Sequence, residues 1–145
     1  MNNMDALYIH IPFCAQICAY CDFAKEVTKV DKRKTYMQNL FSELKHHTHA
    51  LTQVGSIFIG GGTPSLLDEA DLRGLFKTLE SMGLDTVKDI TIEANPSDVT
   101  KDLAHLLYEL GVSRVSLGAQ SFNEAHLKFL KRTHTPEAIK QAVIN

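Results

Sequence analysis

The chain is poor in cysteine, in charge of one sign and in long apolar runs, and each shortage removes a class of function. Three cysteines in 145 residues cannot pair completely, and gaps of two or three residues would close strained rings. A disulfide framework is therefore not the basis of the fold. No stretch is apolar over the length a bilayer-crossing helix needs. The start, Met1-Asn2-Asn3-Met4-Asp5-Ala6, has neither the basic residues nor the apolar run of a secretory signal, so a cytoplasmic protein with reduced thiols is expected. Fifteen Lys and Arg against 17 Asp and Glu give a formal net charge of -2, which makes no electrostatic case for nucleic acid. Low-complexity linkers and convincing repeats are also missing. What remains is the composition of an ordinary globular protein, 44% hydrophobic and 22% charged, with a single domain over residues 1–145.

All three cysteines lie in Cys14-Ala15-Gln16-Ile17-Cys18-Ala19-Tyr20-Cys21, directly after the apolar segment Leu7 to Phe13. Three thiolates in one short loop suit a metal centre. Iron–sulfur clusters are normally held by four cysteines, so a 4Fe–4S cluster here would keep one iron open to an outside ligand. A structural zinc site is the competing reading, with His10 as a fourth ligand.

Along the chain, Leu7 to Ile11 reads as a buried strand stopped by Pro12. A helix is predicted from about Asp31 to Thr48 on the spacing of Tyr36, Leu40 and Leu44. His46, His47 and His49 near its end read as a solvated face favoured by the helix dipole rather than as ligands. Val54 to Ile59 reads as a second strand running into Gly60-Gly61-Gly62-Thr63-Pro64. With no Cβ on three successive residues, a ligand could approach the backbone and its N–H groups there. Asp68 suits the N-cap of a helix carrying Leu72, Leu75, Phe76 and Leu79, with Gly83 as its stop. Ile90 and Ile92 form a third strand ending at Glu93. Thr100 caps a helix closed by Gly111, and Val115 with Leu117 forms a fourth strand leading to Gly118-Ala119-Gln120. A short helix is expected from about Asn123, and Thr135-Pro136 starts another.

Strand and helix thus alternate four times, which predicts an α/β fold with a parallel sheet. The cysteines, Gly60 to Thr63, Glu93 and Gln120 all follow strands, so a parallel sheet would gather them on one rim, the active face of barrels.

Five words occur in order: Tyr8-Ile9-His10-Ile11-Pro12-Phe13-Cys14, Cys18-Ala19-Tyr20-Cys21-Asp22-Phe23, Gly60 to Ser65, Glu93-Ala94-Asn95-Pro96 and Arg114 to Phe122. Together they resemble the radical S-adenosylmethionine family of oxygen-independent coproporphyrinogen III oxidases and their haem-chaperone relatives. The resemblance implies a partial barrel of six strand–helix units. Four are present here, so the chain is expected to be an N-terminal part of a barrel that is incomplete in this chain. A complete barrel enzyme typically needs roughly 250 residues.

The same resemblance implies that Cys14, Cys18 and Cys21 ligate a 4Fe–4S cluster whose open iron binds S-adenosylmethionine. An electron passed through that cluster would cleave the sulfonium to methionine and a 5'-deoxyadenosyl radical. Gly61, Gly62 and Thr63 are implied as contacts to S-adenosylmethionine, and Tyr8, Tyr20, Glu93, Gln120 and Arg132 as further contacts to one or two such molecules. Haem or a porphyrin, and an electron donor such as flavodoxin or ferredoxin, are the implied partners. His10 and His134 match family words without a catalytic role. One departure separates the branches. The decarboxylating oxidases carry a further cysteine two positions after the third cluster cysteine, where this sequence has Phe23. The ending Cys21-Asp22-Phe23 resembles the haem-chaperone branch instead.

Overall fold

A computed structural model describes residues 6–51 and 53–145. Met1 to Asp5, on which the reading of the N-terminus rested, lie outside them. The strands are β1 (Ala6–Ile11), β2 (Phe13–Cys14), β3 (Glu26–Val27), β4 (Ser56–Gly61), β5 (Asp89–Ala94) and β6 (Arg114–Leu117). The helices are α1 (Val30–His46), α2 (Glu69–Ser81), α3 (Lys101–Glu109), α4 (Glu124–Phe129) and α5 (Pro136–Ile144). The four longer strands pair in parallel in the order β1-β4-β5-β6. Each new strand therefore adds beside the last, as in the wall of a barrel.

The register sorts the side chains. Ile9 lies opposite Ile59, and Ile59 opposite Ile92; these three are at most 1% exposed. With Ile11, Ile57 and Ile90 they meet Met37 and Leu44 of α1, Leu72, Leu75 and Leu79 of α2, and Leu106 and Leu107 of α3 in one core. Burying each such side chain contributes about 1.5–3 kcal/mol. Alternate residues face the other way, so Tyr8 stacks on Phe58 (centroids 6.1 Å apart) on a face that carries none of these helices. Tyr8 is 56% exposed.

Local signals set the helix ends. The Asp68 carboxylate accepts from the Asp71 N–H and the Thr100 hydroxyl from the Leu103 N–H, each satisfying a donor that the first helical turn leaves free. Gly83 and Gly111 have φ of +76° and +85° just after α2 and α3, the left-handed stop that glycine takes without a Cβ penalty. Arg33 of α1 pairs with Asp71 at 2.9 Å and with Asp68, joining α1 to the start of α2. The two-residue ladder between β2 and β3 was not expected, since two residues show no periodicity. Among the described residues, no helix is long and apolar enough to cross a membrane.

Candidate functional site

The cysteine loop leaves the carboxyl end of β1 and is closed at its base. Glu26 N–H donates to Pro12 O at 2.8 Å and Thr28 N–H to Cys14 O at 2.9 Å, so residues 14–25 form a loop whose two ends are hydrogen-bonded together. Phe13, 1% exposed, anchors it by an edge contact with Tyr36, whose hydroxyl donates to His10 O at 2.6 Å. All three thiols are free, Cys14 buried and Cys18 and Cys21 half-buried. Burial pushes the Cys14 thiol up. The Thr63 hydroxyl pulls it down through a hydrogen bond, against the neighbouring Cys21 and Cys18, which push it up, and Lys25, which pulls it down. Lys25 Nζ donates to the Cys21 and Phe23 carbonyls, folding the end of the loop over itself.

The glycine loop departs from expectation. Its N–H groups are committed within the protein: Gly61 donates to Glu93 Oε2 at 3.0 Å, Gly62 to Ile11 O and Thr63 to Phe13 O, both at 2.7 Å. The glycines are needed for packing. A Cβ at Gly62 would lie 2.6 Å from Phe13 O and 2.9 Å from Ile11 O, and one at Gly61, where φ is +116°, would lie 2.5 Å from the His10 ring. The run lets β4 press against the root of the cysteine loop, and the loop's backbone has these three donors occupied.

His10 is held in one orientation. Its Nε2 meets Ala24 O at 2.8 Å, and a carbonyl can only accept, so Nε2 carries the proton. In the neutral ring Nδ1 then accepts from the Tyr8 hydroxyl at 3.0 Å. Both ring nitrogens are engaged away from the thiols, which removes His10 as the fourth ligand of the zinc alternative. Among the described residues, no three His, Cys, Asp or Glu side chains are gathered into a metal-ligand arrangement, so the loop carries its donors without a preformed coordination shell.

Across the loop stands Arg132. Its Nη1 lies 3.4 Å from both Cys18 Sγ and the Tyr20 hydroxyl. Its Nη2 donates to Asn95 Oδ1 at 2.8 Å and to Gly118 O at 3.0 Å, while Nε is buried with no partner among the described residues. Burial raises the Tyr20 hydroxyl's pKa, Arg132 lowers it and Cys18 raises it. Behind Arg132, His134 is 4% exposed; burial lowers its pKa, against a raising hydrogen bond to Ala119 and with Arg132's charge also lowering it.

A cavity of about 340 Å³ opens between these groups. Cys14, Cys18, Cys21, Tyr20, Gly61, Gly62, Thr63, Glu93, Gln120 and Arg132 all line it. Tyr8 does not; it lies on the helix-free face of the sheet beside His10 and Phe58. Gln120 reaches the rim through a left-handed backbone, φ +62°. Sequence reasoning missed Asn95, Ser65 and Asp98. Ser65 Oγ donates to Asp98 Oδ2 at 2.6 Å and accepts from the Asn95 N–H at 3.1 Å, tying the glycine loop to the turn after β5. Asn95 and Ser65 stood within the words Glu93-Ala94-Asn95-Pro96 and Gly60 to Ser65 without an assigned role, and no sequence signal singled out Asp98.

The family model for the radical SAM superfamily matches residues 8–145. The chain belongs to the radical SAM superfamily. It is 38% identical over 144 residues to the "Heme chaperone HemW" of Lactococcus lactis, covering 99% of this chain and 38% of that protein. Against the "Oxygen-independent coproporphyrinogen III oxidase" of Pseudomonas aeruginosa it is 38% identical over 145 residues, 95% of this chain and 32% of that one. Among solved structures it resembles the Escherichia coli coproporphyrinogen III oxidase HemN, described as a radical SAM enzyme. That match has a TM-score of 0.86 and 30% identity, and covers 96% of this chain and 33% of HemN. The radical SAM domain here thus spans between 32% and 38% of the length of these relatives, and the β/α repeat of the fold is that of HemN.

Membership implies a 4Fe–4S cluster and S-adenosylmethionine. The residues fit such a group: three free thiols on one loop share a cavity with polar side chains from the ends of three strands, and a buried guanidinium nitrogen is left without a partner among the described residues.

Proposed function

We propose that this chain is the cluster-bearing part of a cytoplasmic radical SAM protein that handles haem, with Cys14, Cys18 and Cys21 holding a 4Fe–4S cluster that has one iron free of protein ligands. The observation that carries the reading is that three free thiols and the Gly61–Thr63 loop face one cavity. When bound, the cluster supplies the electron, delivered by a donor such as flavodoxin or ferredoxin, that cleaves the sulfonium of S-adenosylmethionine. The protein's own residues bind and orient. With the N–H groups of Gly61, Gly62 and Thr63 occupied, the glycine loop can offer carbonyl oxygens, which suit the ammonium of S-adenosylmethionine. Glu93 has Oε1 left to accept a hydroxyl or ammonium proton. Gln120, Tyr20 and Arg132 supply polar contacts around the rim, while Tyr8, outside the cavity with its hydroxyl on His10 Nδ1, stays a contact that only the family resemblance supports.

The haem reading rests on Phe23, 68% exposed and lining the cavity, where the oxidases have a thiol, and on relatives named as haem chaperones. Any step needing a thiol at that position cannot run here. A second reading, oxidative decarboxylation of coproporphyrinogen, is favoured by the likeness to HemN. The test is anaerobic incubation of the full-length, cluster-loaded protein with S-adenosylmethionine, a reductant and an electron acceptor, once with coproporphyrinogen III and once with haem. Stable haem binding without decarboxylation is expected. Many turnovers to protoporphyrinogen would replace the first reading with the second.

A further inference from the structure

Resting on the cluster assignment above, we propose that the Lys131–His134 connector is a clasp on the cysteine loop, in which Arg132 sets the cluster's reduction potential by donating to Cys18 Sγ and His134 is the positioning residue behind it.

Three contacts join the connector to a loop more than a hundred residues away in sequence. Gln16 Nε2 donates to Lys131 O at 2.7 Å, and Arg132 Nη1 reaches Cys18 Sγ and the Tyr20 hydroxyl. The connector is shaped for this. At the end of α4, Arg132 N–H donates back to Leu127 O at 2.8 Å while Lys131 takes φ +55°, a left-handed stop usually given to glycine. That turn sends Arg132 inward. Its Nη2 is fixed by Asn95 Oδ1 and Gly118 O, so the guanidinium bridges the ends of β5 and β6 to the loop.

His134 completes the arrangement. Its Nε2 lies 2.9 Å from Ala119 O, which can only accept, so in the neutral ring Nδ1 is the unprotonated nitrogen. It faces Arg132 Nη2 at 3.4 Å as a secondary acceptor, sharing one of the two N–H groups that Nη2 gives to Asn95 Oδ1 and Gly118 O. A protonated His134 would turn a donor toward the guanidinium, and its burial opposes that.

A cationic N–H donor beside a cluster sulfur favours the reduced, more negative state, because hydrogen bonds and local charge set the potentials of such clusters. Arg132 therefore raises the potential, and its removal lowers it. Contact with S-adenosylmethionine is not needed for this effect, so the potential is to be measured without it.

The experiment uses the full-length protein, reconstituted anaerobically, as wild type and as Arg132→Gln, Arg132→Lys and His134→Phe. Iron and sulfide are assayed first, and the midpoint is then found by titration followed by electron paramagnetic resonance. Arg132→Gln is expected to load like wild type. Its reduction equilibrium should fall about tenfold, roughly 59 mV for a one-electron couple, with the lysine variant in between and His134→Phe shifted less in the same direction. A loaded Arg132→Gln with an unchanged midpoint overturns the proposal while leaving the cluster assignment intact. If Arg132→Gln does not load, hydrogen exchange of the metal-free proteins decides: faster exchange over residues 15–24 with α2 unchanged supports the clasp, and equal exchange overturns it. Failure of the wild type to take up iron overturns the cluster assignment and this proposal together.

Discussion

The Gly61 N–H donates to Glu93 Oε2 at 3.0 Å, across the neighbouring strands β4 and β5. The glycine loop and the carboxylate, which the family resemblance implied as contacts to one or two S-adenosylmethionine molecules, are first of all partners of each other. A Cβ at Gly60 would lie 2.8 Å from the same oxygen, so the preceding glycine makes room for the carboxylate that its neighbour binds.

Replacing Glu93 by Gln keeps an acceptor for the Gly61 N–H but removes its charge. The expected loss of stability is about 1 kcal/mol, the difference between a charge-assisted and a neutral hydrogen bond. Glu93→Ala leaves the donor without its partner and should cost about 1–3 kcal/mol. Urea unfolding of the metal-free proteins measures both. Equal midpoints for wild type and Glu93→Ala would mean that the bond carries no net stability.

Gly61→Ala and Gly62→Ala should both destabilise, for different reasons. At Gly61 the positive φ and the His10 ring act together, and the strain is expected to be about 1–3 kcal/mol. Adding His10→Ala removes the ring but leaves the backbone strain, so the double variant should recover only part of the loss. At Gly62 the new Cβ meets main-chain atoms of Ile11, Pro12 and Phe13, which cannot rotate away, so this variant should be the worse of the two and gain nothing from His10→Ala. Denaturant midpoints of the four proteins check the ordering. Full rescue of Gly61→Ala by the second substitution would show the ring clash to be the whole effect.

What was legible in the sequence was what local chemistry decides. Asp68, Thr100 and Thr135 could be read as caps because each acts within one turn of its own position. The alternation of Ile90 and Ile92 with more polar residues could be read because a sheet has a period of two. Parallel topology put the cysteines, Gly61 to Thr63, Glu93 and Gln120 on one rim, while Tyr20 and Arg132 were implied only by the family resemblance; these ten of the eleven expected site residues line one cavity. The meaning of the glycine run was not legible. A ligand and a neighbouring strand both require the missing Cβ, and only the distances to Phe13 O and the His10 ring distinguish them. Nor could Arg132 be placed beside Cys18, since its partners come from Cys18, Asn95 and Gly118, distant segments that no periodicity connects.

His134 predicts an acid-side loss of stability. Its folded-state pKa is lowered from 6.5, first by burial. Below about pH 6.5 the unfolded chain therefore binds a proton that the native state resists. Stability from this group is fully present above the unfolded value, and is lost as the pH falls toward the folded one. His134→Phe should flatten that part of the curve, although its stability at pH 7.5 should be lower for want of the bond to Ala119 O. Unfolding free energies of the metal-free protein between pH 5 and 7.5 test this, and an identical slope in the variant would move the effect to another group.

The three cysteines should behave alike toward iron and differently toward folding. Each Cys→Ala change leaves two thiolates, too few to hold a cluster normally held by four, so iron uptake after reconstitution should fall to background in all three. Metal-free stability should divide them. Cys14 is 7% exposed and ends β2; Cys14→Ala opens a small void there, with an expected cost of about 1–2 kcal/mol. Cys18 and Cys21 are only half-buried in the loop, and their alanine variants should stay within about 0.5 kcal/mol of wild type. Cys18→Ala also removes the sulfur under Arg132 Nη1, but the guanidinium keeps Asn95 Oδ1 and Gly118 O, so little is lost without metal. Iron assays and denaturant curves on the same preparations separate the two roles. A Cys18→Ala or Cys21→Ala protein retaining the wild-type iron content would show that its sulfur is not a ligand. A Cys14→Ala protein as stable as wild type would show that the β2 end is held by its backbone bonds to Thr28 and not by the buried thiol.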